Sequence, residues 1–487
     1  MKARRLPLPG GERRRVRPIG LRAALLSFPT VTDRLIPSGV RRVLLGLARA
    51  GHQACLVGGC VRDLLLGRPP SDWDVATDAR PERVQALFDR TRPTGIAHGT
   101  VTVLVGRRPV EVTTFRTEGT YSDRRRPDWV EFTGRLELDL ARRDFTINAM
   151  ALDHRGRLHD PFGGLRDLEA GVIRTVGDPG ARFQEDALRM LRAVRFAAQL
   201  EFRIEPEVLE AIREHAALLG HVSAERIRDE FSKILLAPRP APALETLRET
   251  GLLERFLPEL LEGVGVAQNV HHAFTVWEHN VLACQHARPD LVLRLAALLH
   301  DVAKPRCLTV DPDGSRHFYH HEVVGAQMAD AILRRLRFDN ATREKVVHLI
   351  RHHLALHHYP GMSDAAVRRL IRRIGLEHLD DLIALRIADR KASGTKRSEL
   401  SRGTRLLLRR IEQVLAEDAA FGLKDLKVDG HDVMRVLGIP PGPLVGRILN
   451  ALLEAVLEDP SLNEPETLER LIREKAQELA AGPAGRS

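Results

Sequence analysis

At 487 residues the chain is too long for one ordinary hydrophobic core, so several domains are expected. Lys and Arg (75) outnumber Asp and Glu (65), and the formal net charge of +10 favours a polyanionic partner. Aromatics, at 4%, are too few for extensive base stacking, which leaves double-stranded RNA read by shape and phosphate as the better fit.

No apolar run approaches membrane-spanning length, and the N-terminus has no signal-peptide core, so a soluble, cytoplasmic protein is expected. Cys55, Cys60, Cys284 and Cys307 form no C-x-x-C pair and are expected to stay reduced.

Residues 1–30 hold Arg4, Arg5 and Arg13 to Arg15 among Pro and Gly without periodicity, and read as a flexible basic extension. Asp33 to Ala50 is an amphipathic helical pattern. The stretch Leu56 to Thr77, L-V-G-G-C-V-R-D-L-L-L-G-R-P-P-S-D-W-D-V-A-T, then reads strand, glycine turn, helix, strand. Gly58 and Gly59 let backbone approach an anion closely, and Arg62 adds a cation one turn into the helix. Asp72 and Asp74 flank Trp73, and the strand period of two points both carboxylates to one face. Two neighbouring carboxylates repel, and Mg²⁺, which takes one or two carboxylates plus substrate phosphate oxygens, relieves the repulsion.

Alone, a Gly-Gly is more often a tight turn and a D-x-D a solvated strand end. Together, the G-G-x-x-R-D and D-x-D elements resemble the nucleotidyltransferase superfamily that includes DNA polymerase β, tRNA CCA-adding enzymes and bacterial poly(A) polymerases. That resemblance implies two metal ions and attack of a 3′ hydroxyl on a nucleoside triphosphate.

Arg80 to Asp89 is helical in pattern, and Thr100 to Val105 and Pro109 to Phe115 read as a hairpin. Glu111, on its second strand, is either a solvated edge acid or the third carboxylate of a two-metal site; the ligand is favoured. Between two strand-like ends, Gly119, Pro127 and the arginines Arg124 to Arg126 make a loop, which resembles the flexible loop of class II CCA-adding enzymes.

Asp139 to Leu152, D-L-A-R-R-D-F-T-I-N-A-M-A-L, supports two readings. Its polar groups cap a helix beginning near Asp144, or the string is the second motif of the class II family. The resemblance places Asp144 and Asn148 near the ribose and Arg142 and Arg143 near the triphosphate. Asp160 to Gly164, with Asp167, resembles the third, hinge-like motif.

From Phe183, F-Q-E-D-A-L-R-M-L-R-A-V-R-F-A-A-Q-L reads as one helix with a buried stripe at Ala187, Leu191, Val194 and Ala198. Glu185, Arg189 and Arg192 lie on another face, with Asp186 adjacent to Arg189: either a salt-bridge ladder or, by resemblance of E-D-x-x-R, the protein template for the incoming base. An aspartate accepts from an exocyclic amine and an arginine donates to a ring nitrogen or carbonyl, so Asp186 and Arg189 suit cytosine and adenine.

Beyond Pro258 histidines multiply. A helix from Leu291 to Val302 carries His300-Asp301; His279 precedes it, and His321, the pair His352-His353 and Asp389 follow. The order H, HD, H, H, D resembles the HD phosphohydrolase superfamily and implies a second divalent metal, whose identity ligand type does not fix. Farther on, Arg368, Arg369, Arg372 and Arg373 form a basic helix face, solvated or following RNA, and the turn after Gly438 either presents N–H groups to phosphate or is a tight helical connection.

The expected fold is α+β. A polymerase β-like nucleotidyltransferase head with a mixed sheet (31–165) is followed by a helical neck with the base-recognition helix (166–255), an HD body (256–400) and a helical tail (401–487). The resemblance to class II tRNA nucleotidyltransferases with a C-terminal HD domain implies CMP and AMP addition from CTP and ATP to the tRNA 3′ end. An A-adding specialist or a poly(A) polymerase is the alternative, and an HD phosphohydrolase whose head only binds RNA is a further one, against which the intact D-x-D and E-D-x-x-R argue.

Overall fold

The protein is described by a computed structural model over residues 36–106, 108–119, 129–269, 273–357, 361–395, 399–416 and 422–481. The basic extension and Arg124 to Arg126 lie outside the described residues. The chain forms two compact units, residues 1–261 with 335–337, and residues 262–334 with 338–487. None of the described helices is long and apolar enough to cross a membrane.

In the first unit, β1 (Ala54–Val57), β2 (Asp74–Thr77), β3 (Thr91–Gly95), β4 (Thr100–Val105) and β5 (Arg108–Thr114) build most of one mixed sheet. After the small β6 (Arg116–Glu118) and β7 (Val130–Phe132) ladder, β8 (Ala151–Asp153) and β9 (Leu158–His159) complete it in the order β3-β4-β5-β2-β1-β8-β9. Only β2 and β5 run parallel. All four residues of β1 are buried, as a central strand with both faces covered requires.

The glycine turn follows β1, with Gly58 at φ +76° leading into α1 (Gly59–Leu65). Strand β2 starts at Asp74, one residue later than the sequence suggests; Trp73 is buried while Asp72 is exposed and Asp74 half-buried. The hairpin Thr100 to Phe115 forms, and β3, too polar to be read as a strand, pairs with its outer edge.

Two helix readings need correction. No α-helix begins at Asp144: a helix runs Leu136–Ala141, and Thr146–Asn148 is a short 3₁₀ turn. The helix read from Phe183 is two, α2 (Pro179–Glu185) and α3 (Leu188–Leu200), broken where Asp186 takes extended dihedrals. Behind α3 lies α4 (Ala224–Leu235), whose Ile227 and Phe231 are buried.

The second unit is largely helical: α5 (Val276–His286), α6 (Leu291–Leu299), α7 (His321–Arg335), α8 (Asn340–His352), α9 (Asp364–Ile374), α10 (Leu379–Ala392) and α11 (Pro443–Glu458) are its main elements. A capping box at Thr275 and Glu278 starts α5. The basic face of α9 is largely occupied: Arg368 donates to the Leu457 carbonyl (3.0 Å), and Arg369 and Arg372 pair with Glu454 of α11 (3.3 and 2.6 Å). Gly438, at φ +64°, is a helix C-cap, so the following turn is a helical connection.

The D-P-F-G-G stretch is a cap and a close approach. Asp160 accepts from the N–H groups of Gly164 and Leu165 (2.7 and 2.9 Å), and a Cβ on Gly164 would sit 2.2 Å from the Thr146 carbonyl oxygen. Gly164→Ala is therefore expected to cost about 2 kcal/mol in chemical denaturation. At Gly134 a Cβ would meet nothing within 4 Å, and Gly134→Ala is expected to change stability by less than about 0.5 kcal/mol.

Candidate active site and metal centre

The parallel pairing of β2 with β5 sets Asp74 opposite Glu111, one strand spacing away. Both line an open cavity of about 900 Å³ together with Ser71, Asp72, Trp73, Val105 and Pro109. Asp72, just outside the strand, and Asp74, its first residue, thus face the same open cavity. Burial and the charge of Glu111 push the Asp74 carboxyl above its usual range, against the pull of Arg143, and Asp72 adds to the rise. A concentration of like charge at a half-buried carboxylate is what a divalent cation neutralises.

Gly58 lies beside Asp74. A Cβ there would lie 3.0 Å from the Arg143 guanidinium and 3.8 Å from Asp74 Oδ2, so only glycine lets the turn come this close. Arg143 and Arg142 are held by Asp139, which is fully buried; it accepts from Arg142 Nε (3.0 Å) and Arg143 Nη2 (3.2 Å). Burial would raise the Asp139 carboxyl, but the two arginines hold it below the carboxylate range. Arg142 also reaches Glu118, the last residue of β6 (2.7 Å). Asp139 and Glu118 lacked a distinguishing sequence signal.

A second chain of contacts links the other residues. Arg62 donates through Nη1 to Asn148 Oδ1 (2.8 Å), Asn148 donates to Asp144 Oδ1 (3.2 Å), and Asp144 Oδ2 accepts from Arg192 Nε and Nη2 (2.8 and 2.6 Å). Burial opposes ionisation of Asp144, yet Arg192 outweighs it and holds the carboxyl at about 2. The rings of Phe145 and Phe196 pack edge to face beside this chain, centroids 5.7 Å apart.

At the break between α2 and α3, Glu185 pairs with Arg182 (2.8 Å) and with Arg189. Arg189 also donates to the carbonyls of Arg182 and Arg142, both at 3.3 Å. Asp186 pairs not with Arg189 but with Arg226 of α4, at 2.7 Å. Forty residues separate those partners, and nothing in the sequence marks Arg226.

In the second unit, two buried groups have ligand atoms that lie within 4.8 Å of one another: His279, His300 and Asp389, and Asp301, His321 and His353. Among the described residues these are the only such groups, so the open acids at Asp72, Asp74 and Glu111 are a looser set. Asp301 joins the two. Its Oδ2 lies 3.4 Å from His279 Nε2 and 3.3 Å from His300 Nε2, and its Oδ1 lies 3.4 Å from His321 Nε2 and 3.8 Å from His353 Nε2. His352 is outside the cluster: its ring packs on His348, centroids 4.6 Å apart, so of the His352-His353 pair only His353 takes part. Adjacent residues at a helix end point in different directions.

The orientation of two of the rings suits a cation here. His321 and His353 turn Nδ1 to the carbonyls of Phe318 and Ile350 (2.6 and 2.7 Å). A carbonyl only accepts, so each neutral ring keeps its proton on Nδ1 and leaves Nε2 bare. The two Nε2 atoms then face each other at 3.3 Å, a spacing that a cation or a shared proton would relieve. Burial pushes His353 well below the usual histidine range, which keeps that ring neutral.

Comparison with known proteins bears on both units. Residues 54–174 match the Poly A polymerase head domain, residues 201–263 the probable RNA and SrmB-binding site of polymerase A, and residues 318–472 a putative tRNA nucleotidyltransferase domain 2. A CCA-adding enzyme of Geobacillus sp. (strain WCH70) is 37% identical over 88% of this chain and 94% of its own length. The chain belongs to the CCA-adding enzyme family of tRNA nucleotidyltransferases.

Within that family, an A-adding tRNA nucleotidyltransferase of Deinococcus radiodurans is 39% identical over 82% of this chain and 91% of its own. The crystal structure of the Bacillus stearothermophilus CCA-adding enzyme in complex with CTP superposes with a TM-score of 0.69 at 31% identity, covering 91% of this chain and 98% of that one. The polymerase β-like α+β head is thereby established as the family fold.

The Asp144–Arg192 contact gives a pH-dependent prediction. A carboxyl lowered from 3.8 to about 2 adds stability above its unfolded value, and that contribution is lost as pH falls through its folded value. Arg192→Met is therefore expected to cost on the order of 2 kcal/mol in denaturant unfolding at pH 6, and the difference from the parent to shrink between pH 4 and pH 2.

Proposed function

We propose that the first unit transfers CMP and AMP from CTP and ATP to the 3′ end of tRNA without a nucleic-acid template, releasing pyrophosphate. The observation that carries this is the cavity that Asp72, Asp74 and Glu111 share, with Gly58 close to Asp74 and Arg143. Asp72 and Asp74, with Glu111, would hold Mg²⁺, and the residues fit, since a cation offsets the charge that raises Asp74. When bound, such ions neutralise charge on the attacking and leaving oxygens. Gly58, Gly59, Arg62, Arg142 and Arg143 orient the triphosphate, Asp144 and Asn148 the ribose. Glu185 holds Arg189 in place, while Arg189 and Asp186 read the base.

Full CCA addition is favoured over A-addition alone by the relatives named CCA-adding enzyme, one matching over nearly its whole length and one solved with CTP. The decisive assay supplies CTP and ATP separately to tRNA lacking the whole CCA end, to tRNA lacking only its last adenosine, and to unrelated RNA. Incorporation of C on the first and A on the second is expected; A alone on the second marks the A-adding specialist, and tailing of unrelated RNA a poly(A) polymerase. Asp186→Ala and Arg189→Ala are expected to lose preference for CTP and ATP while remaining folded by circular dichroism.

A second activity is favoured by one specific observation, the two ligand groups that share Asp301. His279, His300 and Asp389 would hold one divalent ion and His321 and His353 another, and the buried Lys304 pairs with Asp301 Oδ2 (2.6 Å) and donates to Gln268 Oε1 (2.7 Å). Such a centre supports phosphoester hydrolysis, including 2′,3′-cyclic phosphates at RNA ends. Divalent metal measured in the purified protein by plasma emission, and lost in Asp301→Ala together with turnover, is the expected result. A metal-free protein that stays inactive across several added metals would refute it.

A further inference from the structure

Resting on the base-reading role of Asp186 and Arg189, we infer that Arg226 sets nucleotide specificity by fixing the Asp186 carboxylate. The geometry is bidentate: Arg226 Nη2 donates to Oδ2 at 2.7 Å and Nη1 to Oδ1 at 3.3 Å. The Leu188 N–H adds a third bond, to Oδ1 at 3.0 Å. A carboxylate offers roughly four lone-pair sites. Oδ1 is therefore fully used, and Oδ2 keeps one free acceptor site.

A single fixed acceptor is what discriminates. An exocyclic amine, present on cytosine and adenine, donates to it; a keto oxygen, present on uracil and guanine at the corresponding place, meets it lone pair to lone pair. Without a fixed orientation the carboxylate at a helix break would rotate and offer other sites, because Asp186 itself has extended dihedrals and no helix confines its side chain.

The mount of Arg226 is rigid. It lies four residues before Glu230 on α4, so both project from one face toward α3. Glu230 is buried and accepts from Arg195 of α3, while Ile227 and Phe231 fill the apolar layer beside them. Arg226 itself is half-buried, with 23% of its side chain accessible. It touches no reacting atom in this arrangement and acts through Asp186, as a positioning residue.

The test uses the full chain and the ratio of kcat/KM for CTP over UTP on tRNA lacking CCA, and for ATP over GTP on tRNA lacking its last adenosine. Arg226→Ala is expected to lower both ratios about tenfold, the weight of one well-aligned hydrogen bond to a charged group. Arg226→Lys, which keeps the charge and loses the fork, is expected to fall between. Adding Arg226→Ala to Asp186→Ala is expected to change the ratios no further, since a purely structural role would add its own loss.

Ratios unchanged in Arg226→Ala and Arg226→Lys, while Asp186→Ala loses them, overturn this inference and leave the template reading intact. A lower KM for CTP in Arg226→Ala also overturns it, by showing that Arg226 competes with the base. Ratios kept in Asp186→Ala overturn the template reading and this inference together. If Arg226→Ala melts too low to assay, the Lys variant decides alone.

Discussion

The ionic contact between Asp144 and Arg192 holds the catalytic unit together as a working object. Through Asn148 it reaches Arg62 beside the glycine turn, and through Arg192 it reaches the helix that follows the break at Asp186. Segments lying near residues 60, 145 and 190 in the chain thus meet around one buried carboxylate. Such a carboxylate is tolerated only because an arginine and an amide satisfy it, and in a medium of low polarity those bonds are stronger than in water. Under the proposed roles, this contact joins the segments assigned to the phosphate, ribose and base of a nucleotide.

Much of this was legible in the sequence. The strand, glycine turn and helix follow from an apolar run and the special dihedrals of Gly58, both local rules, whereas Asp72 lies just outside the strand that begins at Asp74. The Thr100 to Phe115 hairpin was equally local. What escaped was non-local or hidden by composition. Strand β3 is T-R-P-T-G, poor in the residues that favour strands, and exists because β4 offers it an edge. The break at Asp186 was masked by an apolar stripe running through it, since buried positions repeat across the gap in nearly helical register. Arg226 and Asp139 carry ordinary charges whose partners only the fold supplies.

In the second unit, residue types and order named the metal candidates, and packing chose among them. The pair His352-His353 could not be separated by sequence, because the choice depends on which residue at the end of α8 faces inward. The basic face of α9 shows the opposite error. Arginines that look available for RNA are largely spent on carbonyls and acids of α11, far along the chain.

The break at Asp186 has a geometric corollary. A residue inside a helix is locked to the axis of that helix, so re-aiming its side chain means moving the whole rod. Asp186 stands between two rods and belongs to neither. Its carboxylate is therefore aimed by its own dihedrals and by the partners it meets, with both helices left in their packing.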